Sequence, residues 1–238
     1  MGQKALAPRK RQALEFIADY RLPTLDALRR FVYPGLKRAA ATNELGALRK
    51  DGLLVSHENA IGKKTGYQLT EAGARVVAAT PRTHCQPVQG QTLAEVIGVL
   101  SFCCLGAVAR PRLREHELER TLGISISHPY RSSYYLDTET DPAGGPSRQR
   151  LGRILVPRDA KVDSTIAQIR RTAESHASHP QFGPLMKSGQ LAYAVVLPND
   201  IKADAFRNRV LDANDALPVW TRVAVAPELE THFMSEAP

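Results

Sequence analysis

The chain has 238 residues, 43% hydrophobic and 24% charged, the composition of an ordinary soluble globular protein long enough for one large or two small cores. Its net charge of +8 points to a polyanionic partner, and the charge is unevenly placed. Residues 1–80 hold fourteen Lys plus Arg against seven Asp plus Glu, whereas the remaining 158 residues hold eighteen against seventeen. Cys85, Cys103 and Cys104 form no CxxC pair, which argues against a zinc site or a disulfide framework and fits a reducing cytoplasm.

The N-terminal third reads as three helices and a hairpin. Ala13, Leu14, Ile17 and Tyr20 recur at helical spacing behind the basic run Arg9, Lys10, Arg11, which predicts a helix from about Arg9 to Tyr20, ended by Pro23. Thr24 is placed to cap a second helix, Leu25 to Val32. Tyr33-Pro34-Gly35 breaks the chain before a third helix, predicted over 36–51, in which Ala41, Leu45 and Leu48 share one face. Lys37, Arg38, Thr42, Asn43, Gly46 and Lys50 are left on its other faces, with Glu44 as the one carboxylate. A helix that enters a DNA major groove needs such a composition, because carboxylates repel phosphates while Arg, Asn and Thr address base edges and backbone. Gly52 stops this helix.

Two alternating segments, Leu53 to Glu58 and Gly66 to Thr70, flank a seven-residue loop, 59–65, and predict a hairpin with Lys63 and Lys64 at its basic tip. These two lysines are expected to hold phosphates and so to add affinity and salt dependence rather than specificity. A closing helix follows from Glu71 to Val77.

Within this third, LGALRKDGLLVSHE followed by GYQLTEAGARVV resembles the "L..L...GL(V/I) … Y.LT..G" signature of many bacterial winged-helix regulators. Leu45, Leu48, Gly52, Leu53, Tyr67, Leu69, Thr70 and Gly73 carry the likeness. The resemblance implies a winged helix-turn-helix domain over 1–79 that binds double-stranded DNA. A protein-contact module is the alternative, and the local charge excess speaks against it.

The stretch 80–92, with two prolines, a glycine and three glutamines, is predicted to be a linker. Beyond it, the apolar run Leu93 to Val108 falls about two residues short of the roughly 18 a membrane span needs and carries Glu95. It is expected to be a core helix with Val96, Val99, Leu100 and Cys103 as its stripe, and no membrane association is expected; the N-terminus also lacks an apolar signal segment. A charged helix from Leu113 to Leu122, two or three strands within 124–138 and 150–156, and a helix capped by Asp163 or Ser164 with Ile166, Ile169 and Ala173 inward come next. A buried strand at 191–197, a helix from Ala203 to Asn214 and a strand at 219–226, carrying a packed Trp220, complete the chain. The fold class expected is α+β: a winged helix-turn-helix followed by a mixed α/β domain over 93–238.

That second order of elements resembles the αβββαβ core of the PD-(D/E)xK nucleases. A winged helix joined to such a core resembles the replication-relaxation family of plasmids and integrative elements. The nuclease likeness implies one or two Mg²⁺ held by an acid on one strand and an acid two before a lysine on the next. Asp159-Ala160-Lys161 has the D-x-K spacing, and Asp137 or Glu139 ends the strand before it. Pro157 argues that the triplet lies past the strand, in an ordinary loop.

His128, His176 and His179 lack the spacing of a ligand set, so no metal site is expected, and Gly144-Gly145 and Ser188-Gly189 have the composition of turns rather than phosphate loops. The sequence therefore predicts a cytoplasmic, nucleoid-associated, sequence-specific double-stranded DNA-binding protein, a transcriptional regulator or mobile-element accessory factor. It is expected to be a homodimer formed through the helix 93–108, with no cofactor. A Mg²⁺-dependent nicking enzyme using Asp137, Asp159 and Lys161 is the alternative.

Overall fold

Apolar residues three and four apart build helices in both halves of the chain, while β-branched and aromatic runs build the strands between them. In the computed structural model the described residues are 6–123, 133–139, 148–159, 161–212 and 217–234. They form a mixed α+β protein that divides into two compact units, one ending at Leu100 and the other beginning at Ser101.

In the first unit α1 (Pro8–Tyr20), α2 (Leu25–Phe31) and α3 (Arg38–Lys50) precede strands β1 (Leu54–Ile61) and β2 (Lys64–Leu69) and the short helix α4 (Glu71–Val76). Helix α1 buries Ala13, Leu14, Ile17 and Tyr20, the predicted stripe. It ends earlier than Pro23 requires, because Arg21 turns to φ 60° and returns its N–H to the Ile17 carbonyl. Pro23 and Thr24 serve a different purpose. The Pro23 carbonyl accepts from Tyr67 N at 3.0 Å and Thr24 bridges Gly66, so this short segment joins the hairpin sheet. Gly66 is needed there, since a Cβ would stand 2.6 Å from Leu22 Cγ.

The hairpin is longer and its turn tighter than predicted. Ile61 pairs with Lys64, leaving only Gly62 and Lys63 to make the turn, and a bulge between His57 and Ile61 absorbs the register shift. Asn59, at φ 54°, sits in that bulge, a conformation Asn tolerates better than most residues. Lys64 therefore belongs to a strand and not to the tip.

The residues of the "GL … LT..G" likeness meet in one place. The Thr70 hydroxyl donates to the Gly52 carbonyl at 2.7 Å and accepts from Gly73 N at 3.1 Å, while Thr70 N reaches the Leu53 carbonyl at 3.2 Å. A Cβ on Gly73 would lie 1.9 Å from that same Leu53 oxygen. One hydroxyl thus ties the end of α3 to the cap of α4, and only glycine fits the contact. The unit's core gathers Leu14, Ile17, Leu28, Leu45, Leu48, Leu54 and Leu69.

The stretch expected to be a linker is partly structured. It contains α5 (Pro81–His84), and the buried Gln68 amide of β2 donates to the carbonyls of His84 and Gln86 at 3.1 and 2.6 Å. These bonds hold residues 84–86 to the hairpin. The unit boundary falls later, where α6 (Gly90–Leu100) passes into a π-helical turn (Ser101–Leu105).

The second unit carries a five-stranded sheet: β3 (Arg112–Leu113), β4 (Tyr134–Glu139), β5 (Arg148–Leu155), β6 (Leu191–Leu197) and β7 (Trp220–Val225). The strands lie in chain order; β3–β4 and β4–β5 are antiparallel, β5–β6 and β6–β7 parallel. Strand β3 takes Leu113 out of the predicted charged helix, which becomes α7 (Glu115–Leu122). Parallel pairing requires crossovers, supplied by α8 (Val162–Ala177) with α9 (Phe182–Lys187), and by α10 (Asp200–Asp212). One face of the sheet, bearing Leu151, Leu155, Tyr193, Val195 and Leu197, packs on Ile166, Ile169, Ala173, Phe182 and Phe206. The described residues close with a 3₁₀ turn (Pro227–Leu229) and α11 (Glu230–Met234).

Candidate nucleic-acid interface

Helices α2 and α4 begin as helix physics favours. Thr24 and Thr70 accept hydrogen bonds from the first turn, and Asp26 and Glu71 place a carboxylate at the positive end of the dipole. Helix α3 does neither. Lys37 is its N-cap without a side-chain bond, Arg38 is its first residue, and its first turn holds no acid. Helix α1 likewise starts on Ala7 with no side-chain cap and carries Arg9, Lys10 and Arg11. Cations at a helix N-terminus cost roughly 0.3–1 kcal/mol, and they leave a positive region where unpaired backbone N–H groups also point.

With Ala41, Leu45 and Leu48 in the core, Lys37, Arg38, Ala39, Thr42, Asn43, Arg49 and Lys50 are exposed. Thr42, Gly46 and Arg49 follow at spacings of four and three and lie along one line of that face. Arg49 was not among the residues singled out in the sequence; its place seven residues after Thr42 was the available signal. Glu44, the helix's one carboxylate, is close enough to Tyr33 for its charge to act on the phenol, which burial chiefly pushes up to about 12. Tyr67 lies near the same helix: burial raises its pKa, and the Arg49 and Arg38 charges oppose the shift.

The predicted cations separate into two groups. Arg38 donates to Asp26 at 2.9 Å, Lys10 meets Asp51 at 3.5 Å, and Arg11 pairs with Glu15 one helical turn on at 3.0 Å. These pairs are largely solvent-exposed and contribute at most about 1 kcal/mol each, so they give way readily to phosphate. Arg9, Lys37, Lys50 and Lys63 have no carboxylate partner among the described residues. Lys63 is exposed at the hairpin turn, while Lys64 is half-buried in β2 and the neighbouring Ile61 is fully buried. The hairpin's cationic tip is thus one lysine rather than two.

The residues of the nuclease alternative do not meet. Asp137 pairs in register with Arg150 near the start of β5, whereas Asp159 follows the other end of that strand, beyond Leu155. Five residues of strand separate Arg150 from Leu155, roughly 16 Å. Each acid is also engaged. Asp137 is 5% exposed and accepts from Arg222 Nη2 at 3.0 Å. Asp159 Oδ1 accepts from Lys161 N at 3.0 Å and from the Ser164 hydroxyl at 2.5 Å, closing the turn that starts α8. The predicted cap at Asp163 or Ser164 is corrected accordingly: Lys161 is the N-cap, and Asp159 supplies the oxygen. Glu139 ends β4. Among the described residues no group of three or more His, Cys, Asp or Glu is placed to hold a metal ion.

His176 is a core residue. It is fully buried, stacked on Phe182 at 4.5 Å, and bonded on both ring nitrogens. Arg153 Nη1 donates to Nε2 at 2.9 Å, and a guanidinium has only donors, so Nε2 is unprotonated. Nδ1 must then carry the proton and donate it to the Tyr193 oxygen at 2.7 Å. Burial, with help from the Arg153 charge, lowers the His176 pKa to about 3. His179 ends the segment, its Nδ1 accepting from Gln181 N. His128 and Gly144-Gly145 lie outside the described residues, and Gly189, at φ 68°, makes the turn expected of it.

Two further expectations change. The stripe of the helix 93–108 is already buried within the chain: Val99 is 7% exposed, Leu100 and Cys103 0%, and only Val96 is half-buried. That helix does not offer its apolar face to a second copy. Trp220 is 40% exposed, with the Arg150 and Arg222 guanidiniums 5.1 and 5.3 Å from its ring centroid, rather than packed away. Among the described residues no helix is long and apolar enough to cross a membrane. No family model, curated protein or solved structure matches the chain.

Proposed function

We propose that the first unit is a winged helix-turn-helix that binds double-stranded DNA, with α3 in the major groove and the hairpin as its wing. The observation that carries this is the exposed face and the N-terminus of α3. Unlike α2 and α4, this helix starts uncapped on two cations; it leaves Thr42, Asn43, Arg49 and Lys50 exposed and sets its one carboxylate by Tyr33. The uncapped, cationic start weakens an isolated helix, and together with the exposed face it suits one that meets phosphates and base edges. Pairing of Pro23-Thr24 with β2 supports the same reading, since it adds the short third strand that braces a wing.

In this account Asn43 and Arg49 address base edges, and Arg9, Lys37, Lys50 and Lys63 hold the backbone. Arg38 and Lys10 exchange Asp26 and Asp51 for phosphate. The role is that of a cytoplasmic transcriptional regulator or mobile-element accessory factor. A homodimer, which pairs two such faces on one duplex, would favour a symmetric site.

The test is an equilibrium titration on specific and random duplexes at two salt concentrations. Asn43→Ala/Arg49→Ala is expected to lose discrimination between the duplexes. Lys37→Ala/Lys63→Ala is expected to weaken both alike and to flatten the salt dependence by about one to two ions. Affinity unchanged in both variants would remove α3 and the hairpin from the interface.

A further inference from the structure

Helices α8 and α10 both turn apolar residues onto the sheet, and between their outer flanks they leave a groove of about 440 Å³. Its floor is Ile166, Ala167 and Val210; its rim is Arg170, Arg171, Arg209 and Asp163. The volume falls within the roughly 300–1,000 Å³ typical of small-molecule sites.

Two of the rim guanidiniums make exposed contacts beside the groove. Arg209 Nε donates to Asp163 Oδ1 at 3.2 Å, a contact that runs from α10 to α8, and Arg171 Nε leans on the Ala167 carbonyl at 3.4 Å. Arg171 has no carboxylate partner among the described residues. Arg171 and Arg209 flank the apolar floor from α8 and α10, with Asp163 as the carboxylate of the lining.

We propose that this groove binds a small amphipathic anion, its carboxylate, sulfonate or phosphate held by Arg171 and Arg209 and its apolar body resting on Ile166, Ala167 and Val210. Guanidinium forks suit such oxyanions because they donate two parallel hydrogen bonds. The apolar floor selects against a bare inorganic ion. A nucleic-acid backbone is a poorer match, since it is bound by cations strung along a surface, whereas these converge on one concave volume. The site stands on the second unit alone and is independent of the DNA-binding proposal.

The test uses 8-anilinonaphthalene-1-sulfonate, an aromatic sulfonate that fluoresces in apolar surroundings, with the full chain. One equivalent is expected to bind the folded protein, and octanoate to displace it while inorganic phosphate at the same concentration does not. Arg171→Glu/Arg209→Glu should weaken binding at least tenfold. Ala167→Trp, which fills the groove from an exposed helical position, should abolish the signal without shifting the thermal unfolding midpoint. Undiminished binding in both variants would overturn the proposal. So would displacement by phosphate as effective as by octanoate, or displacement by a short DNA duplex, which would give these arginines to nucleic acid.

Discussion

The two units handle polar chemistry in opposite ways. The first keeps its charges outside and buries little beyond the neutral Thr24 and Gln68, which bond to backbone groups. The second sinks an aspartate and a histidine into its packing and balances them with other side chains: Asp137 with Arg222, 85 residues away, and His176 with Tyr134 and Tyr193, 42 and 17 away. Part of the first unit's cationic surface, Arg9, Lys37, Lys50 and Lys63, has no carboxylate partner among the described residues, and the proposed DNA contacts rest on it. Asp137 and His176 are each held by these partners, so neither stands as a free acid or base.

Mutations in each unit should break this contrast in characteristic ways. The largest effect is expected from Gly73→Ala, which drives a methyl into the Leu53 carbonyl. Overpacking against backbone should cost about 3 kcal/mol, read by urea unfolding, and should loosen the junction between α3 and the hairpin. In the second unit Arg222→Ala leaves Asp137 buried without its cation, for which a loss of about 3 kcal/mol is expected. Arg222→Ala/Asp137→Leu should recover most of it in the same urea titration.

A smaller effect is expected from acid. The folded His176 pKa is depressed to about 3, so the unfolded chain takes up a proton near pH 6.5 that the folded one refuses. Stability is full above the unfolded value and falls as pH drops toward the folded one, by about 2 kcal/mol between pH 7.5 and 5. Denaturant titrations across that range should show the slope in the native chain and lose it in His176→Gln. Smallest is Asp159→Ala, which removes the oxygen that closes the start of α8 and should cost about 1 kcal/mol. No Mg²⁺-dependent nicking of supercoiled DNA is expected from either form.

What could be read from the sequence follows the same division. The stripes of α1 and α3, the Thr24 cap and the stop at Gly52 were legible because helical contacts recur within four residues. Hairpin register was less so: Asn59 hides a bulge, and the true turn, Gly62-Lys63, moved Lys64 into a strand. The ties of Gln68 to residues 84–86 were invisible, since a glutamine in an alternating run gives no sign of its partner. In the second unit the D-x-K spacing was legible as a pattern, and Pro157 marked it correctly as loop. The Arg222–Asp137 and Arg153–His176 pairs depend on sheet order, which no local spacing encodes.

The most direct measurement is selection of bound duplexes from a random DNA pool by the native chain, with Asn43→Ala/Arg49→Ala carried through in parallel. The account predicts that the native chain enriches a defined motif and that the variant, though folded, enriches none. Failure of the native chain to enrich any sequence, or the same motif emerging with the variant, would contradict it.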